Sequence, residues 1–366
     1  MASKKGTDTG AKFAFSSSVK DDVWLPGKGP KGYEWWYFDA LSDNERDAIV
    51  VIFLDNFIFS PRYNNLNRKL DKNGAEGERD RLFPAVAFFY YRDGKPFFRC
   101  INEFSEESFS ADPEWPHCEI NGSSFRYEET PYGDRYLVEI TSPLRRKKTL
   151  KASFEWLSVE SDLAPGDAVE GDGHSWNLVS PRSDVTGSIF VLDNDGKKTE
   201  KLNFRGTGYH DHNRDRRWLP SAVDKWLWGR VHFSDSTAVF YDYNGREGSE
   251  RDSSLYIADG SGIVCRRADF EIQETRRDVF GLKYPSRLRI TTEDGIKLRL
   301  KDTKAIDSSF FYTRMLFDGT LSVRDGVPRR SLGIGEFLVP GKLRNRFFDP
   351  LINMRIGRKG RHSFLS

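Results

Sequence analysis

The chain has 366 residues, enough for two β domains of ordinary size, each with its own core. Its 57 lysines and arginines against 55 aspartates and glutamates leave a net charge of +2, which excludes a global electrostatic footprint for nucleic acid. Three cysteines, Cys100, Cys118 and Cys265, stand at wide spacings without a C-x-x-C, so neither a disulfide framework nor a zinc ribbon is expected and a reducing compartment fits.

From the N-terminus, Met1-Ala2-Ser3-Lys4-Lys5 is followed by a polar stretch instead of an apolar one, and no run approaches the ~18 apolar residues of a membrane span. Residues 1–19 read as a flexible segment and the protein as soluble and cytoplasmic. Strand-like runs at 48–53, 85–91, 136–140, 188–192, 237–243 and 287–290 are bounded by turn residues, with hairpin signals at Asp93-Gly94 and Asn121-Gly122. No stretch keeps helical apolar spacing for three turns, so an all-β chain of closed or nearly closed sheets is expected. The polar segments 64–81 and 158–172 read as long exposed loops.

The first chemically dense motif is Tyr33-Glu34-Trp35-Trp36-Tyr37-Phe38. Strand alternation sends Trp35 and Tyr37 to one face and Glu34, Trp36 and Phe38 to the other. It serves either as a core strand with Glu34 fixed by a partner, or as a pocket wall on which burial keeps Glu34 protonated. In His174-Ser175-Trp176, running on to Arg182-Ser183-Asp184, the simplest reading is a structural salt bridge. Gly208-Tyr209-His210-Asp211-His212-Asn213 is the densest polar cluster. His210 and His212 share a strand face and Asp211 points away, which suits a buried hydrogen-bond network, proton transfer, or an H-x-H metal pair. A weak repeat then places Trp36-Tyr37-Phe38-Asp39 beside Trp228-Gly229-Arg230-Val231, each leading into a second strand through a Ser-Asp turn. It divides the chain into two β units, 20–215 and 216–366. Further on, Trp226, Trp228, Arg230 and His232 share one face, and Tyr241-Asp242-Tyr243 follows. The segment 342–361 mixes basic residues with Phe347, Phe348, Leu351, Ile352 and Ile356. It reads as a last strand with a solvated tail or as a peripheral contact with an anionic membrane.

Taken together, Glu34-Trp35-Trp36-Tyr37-Phe38, Trp176-Asn177-Leu178 with Pro181-Arg182, Gly208 to Asn213, and Trp226-x-Trp228-Gly229-Arg230 resemble the carotenoid 1,2-hydratase (hydroxyneurosporene synthase) family over roughly residues 20 to 250. That family is related to fungal decalin-forming Diels-Alderases. The resemblance implies two lipocalin-like antiparallel β-barrel or β-sandwich domains, no cofactor or metal, and a hydrophobic isoprenoid, polyene or polyketide ligand between the domains. It implies acid-catalysed addition of water to a terminal double bond, with Asp242 beside Tyr241 as the acid and His212, with His210, handling or orienting the proton. Glu34, Trp36, Trp176, Arg182, Tyr209, Arg214, Trp226 and Trp228 would form the substrate wall. One departure stands out: family members follow the histidine segment with Trp-Gly, whereas this chain has Arg214-Asp215. A guanidinium there repels a carbocation, which gives weight to a cofactor-free cyclase or isomerase, or to a carrier that binds without catalysis.

Overall fold

The computed structural model describes residues 13–74, 80–160, 163, 173–246, 251–324, 326–358 and 360–364. The first part of the chain forms strands Ala14–Ser16 (β1), Tyr33–Ser42 (β2) and Asp47–Leu54 (β3), helix Pro61–Asn73 (α1), then Ala85–Arg92 (β4), Lys95–Glu103 (β5), Phe109–Ala111 (β6), His117–Ile120 (β7), Ser123–Thr130 (β8), Gly133–Pro143 (β9), Thr149–Glu160 (β10), Ser175–Leu192 (β11) and Lys198–Asp215 (β12). After a short helix, Leu219–Ala222 (α2), come Val223–His232 (β13), Thr237–Gly245 (β14), Arg251–Asp259 (β15), Gly262–Arg277 (β16), Lys283–Thr292 (β17), Ile296–Ser308 (β18), Tyr312–Val323 (β19) and Arg329–Leu338 (β20). A last helix, Asp349–Asn353 (α3), precedes Gly357–Arg358 (β21).

Among the described residues, β13 to β20 close into an eight-stranded barrel in chain order. The earlier strands form a curled sheet ordered β21-β5-β4-β3-β2-β12-β11-β10-β9-β8-β7-β6, with β1 parallel to the start of β11. The all-β expectation therefore holds. The predicted hairpin turns hold too, since Asp93, Gly94, Asn121 and Gly122 all take the positive φ that such tight turns need.

Each sheet has a core of its own. Trp36, Phe38, Val51, Phe88 and Trp156 fill the curled sheet, and Phe240, Leu288, Leu298 and Phe317 fill the barrel. A third core joins their outer faces, with Trp35, Tyr37, Phe89 and Trp176 against Trp226, Trp228, Tyr241 and Leu338. Strand β2 consequently buries all ten of its residues, Trp35 and Tyr37 toward the junction and Trp36 and Phe38 into the sheet core, as alternation requires. The two hairpins of the aromatic repeat meet here, Trp35 lying 5.4 Å from Trp226 and Tyr37 edge-on to Trp228 at 5.1 Å.

Three segments differ from the sequence reading. Residues 61–73 of the expected loop at 64–81 are helical: Ser60 caps the Arg62 amide, Pro61 opens the helix, and Asn64 and Asn67 are buried by bonding backbone carbonyls of Ile58, Ser60 and Tyr63. Burial through amides leaves no apolar stripe to read. Of the expected loop at 158–172, residues 158–160 close β10 and nearly all the rest lies outside the described residues. Residues 1–12 of the expected flexible segment also lie outside them, but residues 13–19 are fixed. Phe13 and Phe15 pack on Tyr241 and Tyr256, and the Ser17 hydroxyl donates to the Leu178 carbonyl at 2.7 Å.

The chain from Pro340 onward, expected with the second β unit, leaves the barrel and returns to the first sheet. Arg68 of α1 pairs with Asp349 at 2.8 Å, Ile352 and Ile356 enter the junction core, and β21 pairs with β5. No helix among the described residues is long and apolar enough to cross a membrane.

Sheet and barrel are clamped by one fully buried ion pair, in which the Asp39 carboxylate of β2 accepts from the Arg230 guanidinium of β13 (Nε to Oδ1, 2.9 Å). Arg230 thus faces an acid across the junction. Asp39→Ala strands that cation in an apolar contact and should cost about 3–5 kcal/mol, read as a drop in the urea midpoint. An unchanged midpoint would show that the clamp contributes nothing to stability.

Candidate active site

Strand β12 carries chemistry on both faces. Gly208 lets it sit close: a Cβ there would lie 2.5 Å from the Trp156 indole nitrogen and 2.8 Å from the Asp39 carbonyl. Beyond it, His210, His212 and Arg214 alternate with Tyr209, Asp211 and Asn213.

The histidine face looks into the curled sheet. His210 stacks on Phe38 and His212 on Trp36, with centroids 3.8 and 4.7 Å apart. Asp22 bridges them, 3.0 Å from His210 Nε2 and 3.1 Å from His212 Nδ1, and also accepts from the Tyr136 hydroxyl at 2.6 Å. The other nitrogen of His212 lies 2.7 Å from Glu34, whose carboxylate also meets Lys28, and Lys28 Nζ reaches Asp55 at 2.9 Å. Burial acts to raise the Asp22 pKa, but His210 and His212 together bring it down to about 2. Glu34 follows the same pattern: burial raises it, while Lys28 and His212 pull it below the usual carboxylate range. Of the two readings of Glu34, these cations favour the side chain fixed by a partner over the protonated pocket wall. For His212, burial favours the neutral ring, yet Asp22 and Glu34 outweigh it and hold the imidazolium. The H-x-H spacing serves carboxylate pairing here.

The opposite face borders a cavity of about 210 Å³ between sheet and barrel. Its walls are mostly apolar, with Trp35, Ile52, Phe57, Phe89, Trp228, Phe311 and Ile356 among them, and Asp211, Asn213, Arg314, Glu336 and Asp307 supply polar groups. Asp211 is buried and held by three donors: Trp176 Nε1 (3.0 Å) and the Tyr209 hydroxyl (2.7 Å) at Oδ2, and the Asn213 amide (2.9 Å) at Oδ1. Burial raises its pKa, the Tyr209 and Trp176 bonds oppose this, and Glu336 and Asp39 add to the rise, which ends at about 8. The carboxyl is therefore mostly protonated at neutral pH. From Asn213 the network passes to His174 Nε2 (3.2 Å) and on to the Tyr241 hydroxyl (2.7 Å). Burial, reinforced by Arg217, lowers the pKa of His174 to about 3 and keeps it neutral. The cavity's cations are spent on acids, Arg314 on Glu336 at 2.8 Å and Arg355 on Asp307 at 2.7 Å.

Of the residues singled out from the sequence, Trp226 and Trp228 line this cavity, and Trp176, Tyr209 and Tyr241 stand directly behind its wall. Glu34, Trp36, His210, His212 and Arg214 occupy the opposite faces of β2 and β12, turned from the cavity by strand parity. Arg182 donates to the Phe233 carbonyl at 2.7 Å. Asp242 is half-buried on the side of β14 turned to the barrel interior with Phe240, accepts from the Ser253 hydroxyl at 2.6 Å, and is not among the cavity residues. It does not share a site with His212. The residues that sequence reasoning passed over are Asp211, Asn213, Arg314 and Glu336. For the first two a signal was present, since Asp211 and Asn213 share parity with Tyr209.

Residues 152–365, a span that includes β12, the barrel and the C-terminal segment, match the family model of the carotenoid hydratase CrtC. The chain is 28% identical over 359 residues to hydroxyneurosporene dehydrogenase of Chlorobaculum tepidum, covering 93% of this chain and 91% of that one. It is 24% identical over 337 residues to acyclic carotenoid 1,2-hydratase of Thiocapsa roseopersicina, covering 86% and 74%. The crystal structure of CghA with Sch210972 superposes with a TM-score of 0.55 over 91% of this chain and 97% of that one at 11% identity, a likeness of fold.

The buried charge network predicts a specific acid response. Asp22 has a folded pKa of about 2, below its value of about 4 in an unfolded chain. Its contribution to stability is therefore present above pH ~4 and is lost as pH falls toward 2. The contribution of His212, whose pKa is raised, is present at low pH and is lost as pH rises through its folded value. Asp22→Asn should lower the urea midpoint at neutral pH and narrow the gap between the neutral and about pH 2.5 midpoints. Equal gaps in both proteins would contradict this electrostatic account.

Proposed function

The chain belongs to the carotenoid hydratase family, CrtC, and from that membership we propose that it adds water to a terminal isoprenoid double bond in the junction cavity, with Asp211 as the acid. The observation that carries this reading is a carboxyl on an apolar wall whose pKa burial and neighbouring acids push up to about 8. Protonation of the terminal alkene by Asp211 leaves a tertiary cation, which the faces of Trp228, Trp226 and Tyr37 can stabilise. Water adds to the cation and returns a proton to the Asp211 carboxylate, so the balance is alkene plus water. Tyr209, Trp176 and Asn213 orient the carboxyl. His212 is a positioning residue, fixing β12 from its other face through Asp22 and Glu34. On the scale where a cavity of ~150 Å³ takes a benzene ring, one of about 210 Å³ takes the end of a chain, the rest leaving through the mouth.

A substrate dissolved in a membrane would enter from an exposed apolar rim. Phe280, Leu351 and Met354 stand exposed at the rim of the cavity, and Phe347 lies beside them through Phe348 and Phe310, with the basic Arg344 and Arg346 nearby in sequence. The double variant Phe347→Ser, Leu351→Ser should lose flotation with anionic vesicles. Point changes are preferred to truncation at 340, which would remove part of the cavity wall. Equal flotation of both proteins would dismiss the contact.

The catalytic assignment is tested by incubating the protein with lycopene in detergent micelles and ¹⁸O-labelled water, followed by mass spectrometry. Labelled monohydroxy product is expected from the wild type and none from Asp211→Asn. Because the acid must carry its proton, the rate should be level below neutrality and fall above pH about 8. Glu336→Gln, which removes a charge that raises the Asp211 pKa, should move that fall to lower pH. A wild-type rate in Asp211→Asn would overturn the assignment.

A further inference from the structure

We propose that the ligand of the junction cavity carries an oxygen function that accepts hydrogen bonds from among Tyr37, Tyr312 and Trp226, so that an oxygenated chain is bound more tightly than a bare hydrocarbon of the same skeleton. This rests on reading the junction cavity as the substrate site. All three side chains line that cavity and are at least nine-tenths buried, with relative exposures of 4%, 9% and 9%. Among the described residues, the Tyr37 and Tyr312 hydroxyls and the Trp226 indole nitrogen have no hydrogen-bond partner. Trp228 Nε1 and the Ser309 hydroxyl of the same lining share this condition, whereas other nearby groups do not. Tyr209 gives its hydroxyl to Asp211, Tyr91 accepts from Arg314, and Tyr241 meets His174.

The three donors come from both walls. Trp226 and Tyr312 lie in one row across the barrel face, each opposite Leu338, while Tyr37 reaches from β2, where it pairs in register with Asp211. The next barrel row is Trp228, Glu336 and Arg314, so the oxygen would sit between the acid and the Arg314–Glu336 pair. Burial pushes both tyrosine hydroxyls well above their ordinary range, leaving them neutral donors.

A hydrocarbon filling this space would expel water and leave all three donors unmade, the costliest state for a polar group in an apolar wall. A hydroxyl, carbonyl or ether oxygen, with two lone pairs, would satisfy up to two of them. Sites built to bond an oxygen discriminate sharply against the analogue that lacks it, whereas an apolar wall barely discriminates between chains of similar size.

Three probes of one skeleton test this, farnesene, farnesol and farnesal, with binding to the full-length protein followed by quenching of tryptophan fluorescence. The alcohol and the aldehyde, which both accept a hydrogen bond, should bind at least about tenfold more tightly than the hydrocarbon. Tyr37→Phe and Tyr312→Phe should each shrink that ratio by about threefold or more. Farnesene binding as tightly as the other two, no binding of either oxygenated probe, or a ratio untouched by both substitutions would overturn the proposal. The wild-type comparison stands even if a variant fails to fold. Binding needs no turnover, so a failure here is distinguishable from a failure to incorporate labelled water.

Discussion

Asp211 and His212 start from adjacent Cα atoms of β12 and end in opposite electrostatic environments, because an extended chain turns successive side chains to opposite faces. Where a strand has one wet face, that alternation separates core from surface. In β2 and the second half of β12 both faces are buried, so it separates two interiors. One is crowded with compensated charge: Asp22, Glu34 and Asp55 against Lys28 and His212. The other is mostly apolar, and there the Asp211 carboxyl keeps its proton. The rest of the site depends on this partition. A one-residue slip of β12 against β2 would bring the histidines to the cavity and drive Asp211 among the ions.

Keeping an acid neutral also requires that no free cation approach it, since a guanidinium within a few ångströms would restore the ordinary carboxylate pKa. The barrel and the C-terminal segment bring arginines toward the junction, and these three are engaged. Arg230 is held by Asp39, Arg314 by Glu336 and Tyr91, and Arg355 by Asp307. These pairs act twice. They join the sheet, barrel and C-terminal segment, and their acids Glu336 and Asp39 add to the field that holds the Asp211 proton. Buried ion pairs are weak evidence for stability alone, because desolvation offsets most of their attraction. Around a neutral acid their value is electrostatic.

The C-terminal segment shows how composition can be read correctly and placed wrongly. Its mixture of arginines and large apolar residues suggests an independent tail. In the fold one of its cations turns inward, Arg355, to Asp307 and the carbonyl of Ser308. Ile352 and Ile356 complete the cavity wall, while Leu351 at its rim and Phe347 are exposed. One short stretch thus faces inward and outward at once, and a helix of five residues is enough to sort the two sides.

The all-β architecture, the hairpins at Asp93-Gly94 and Asn121-Gly122, and the parity that sets Tyr209 and Asp211 against His210 and His212 follow from the sequence by itself. Each depends on spacing along the chain, which no neighbour can alter. The family motifs around Trp36, Trp176, His210 and Trp228 were legible for the same reason. Which face of β12 would border the cavity was not, since a period of two says that the faces differ and not what each will meet. That was decided by the barrel, whose Trp226, Trp228 and Glu336 reach the Asp211 side from more than a hundred residues away in the case of Glu336. The same holds for the charged residues. A guanidinium at Arg214, a carboxyl at Asp242 and an imidazole at His212 look equally available in a line of letters, and only long-range packing assigns each its partner. The helix at Pro61–Asn73 escaped notice because its buried side is made of asparagine amides that find backbone carbonyls, a solution visible only once the chain has folded around it.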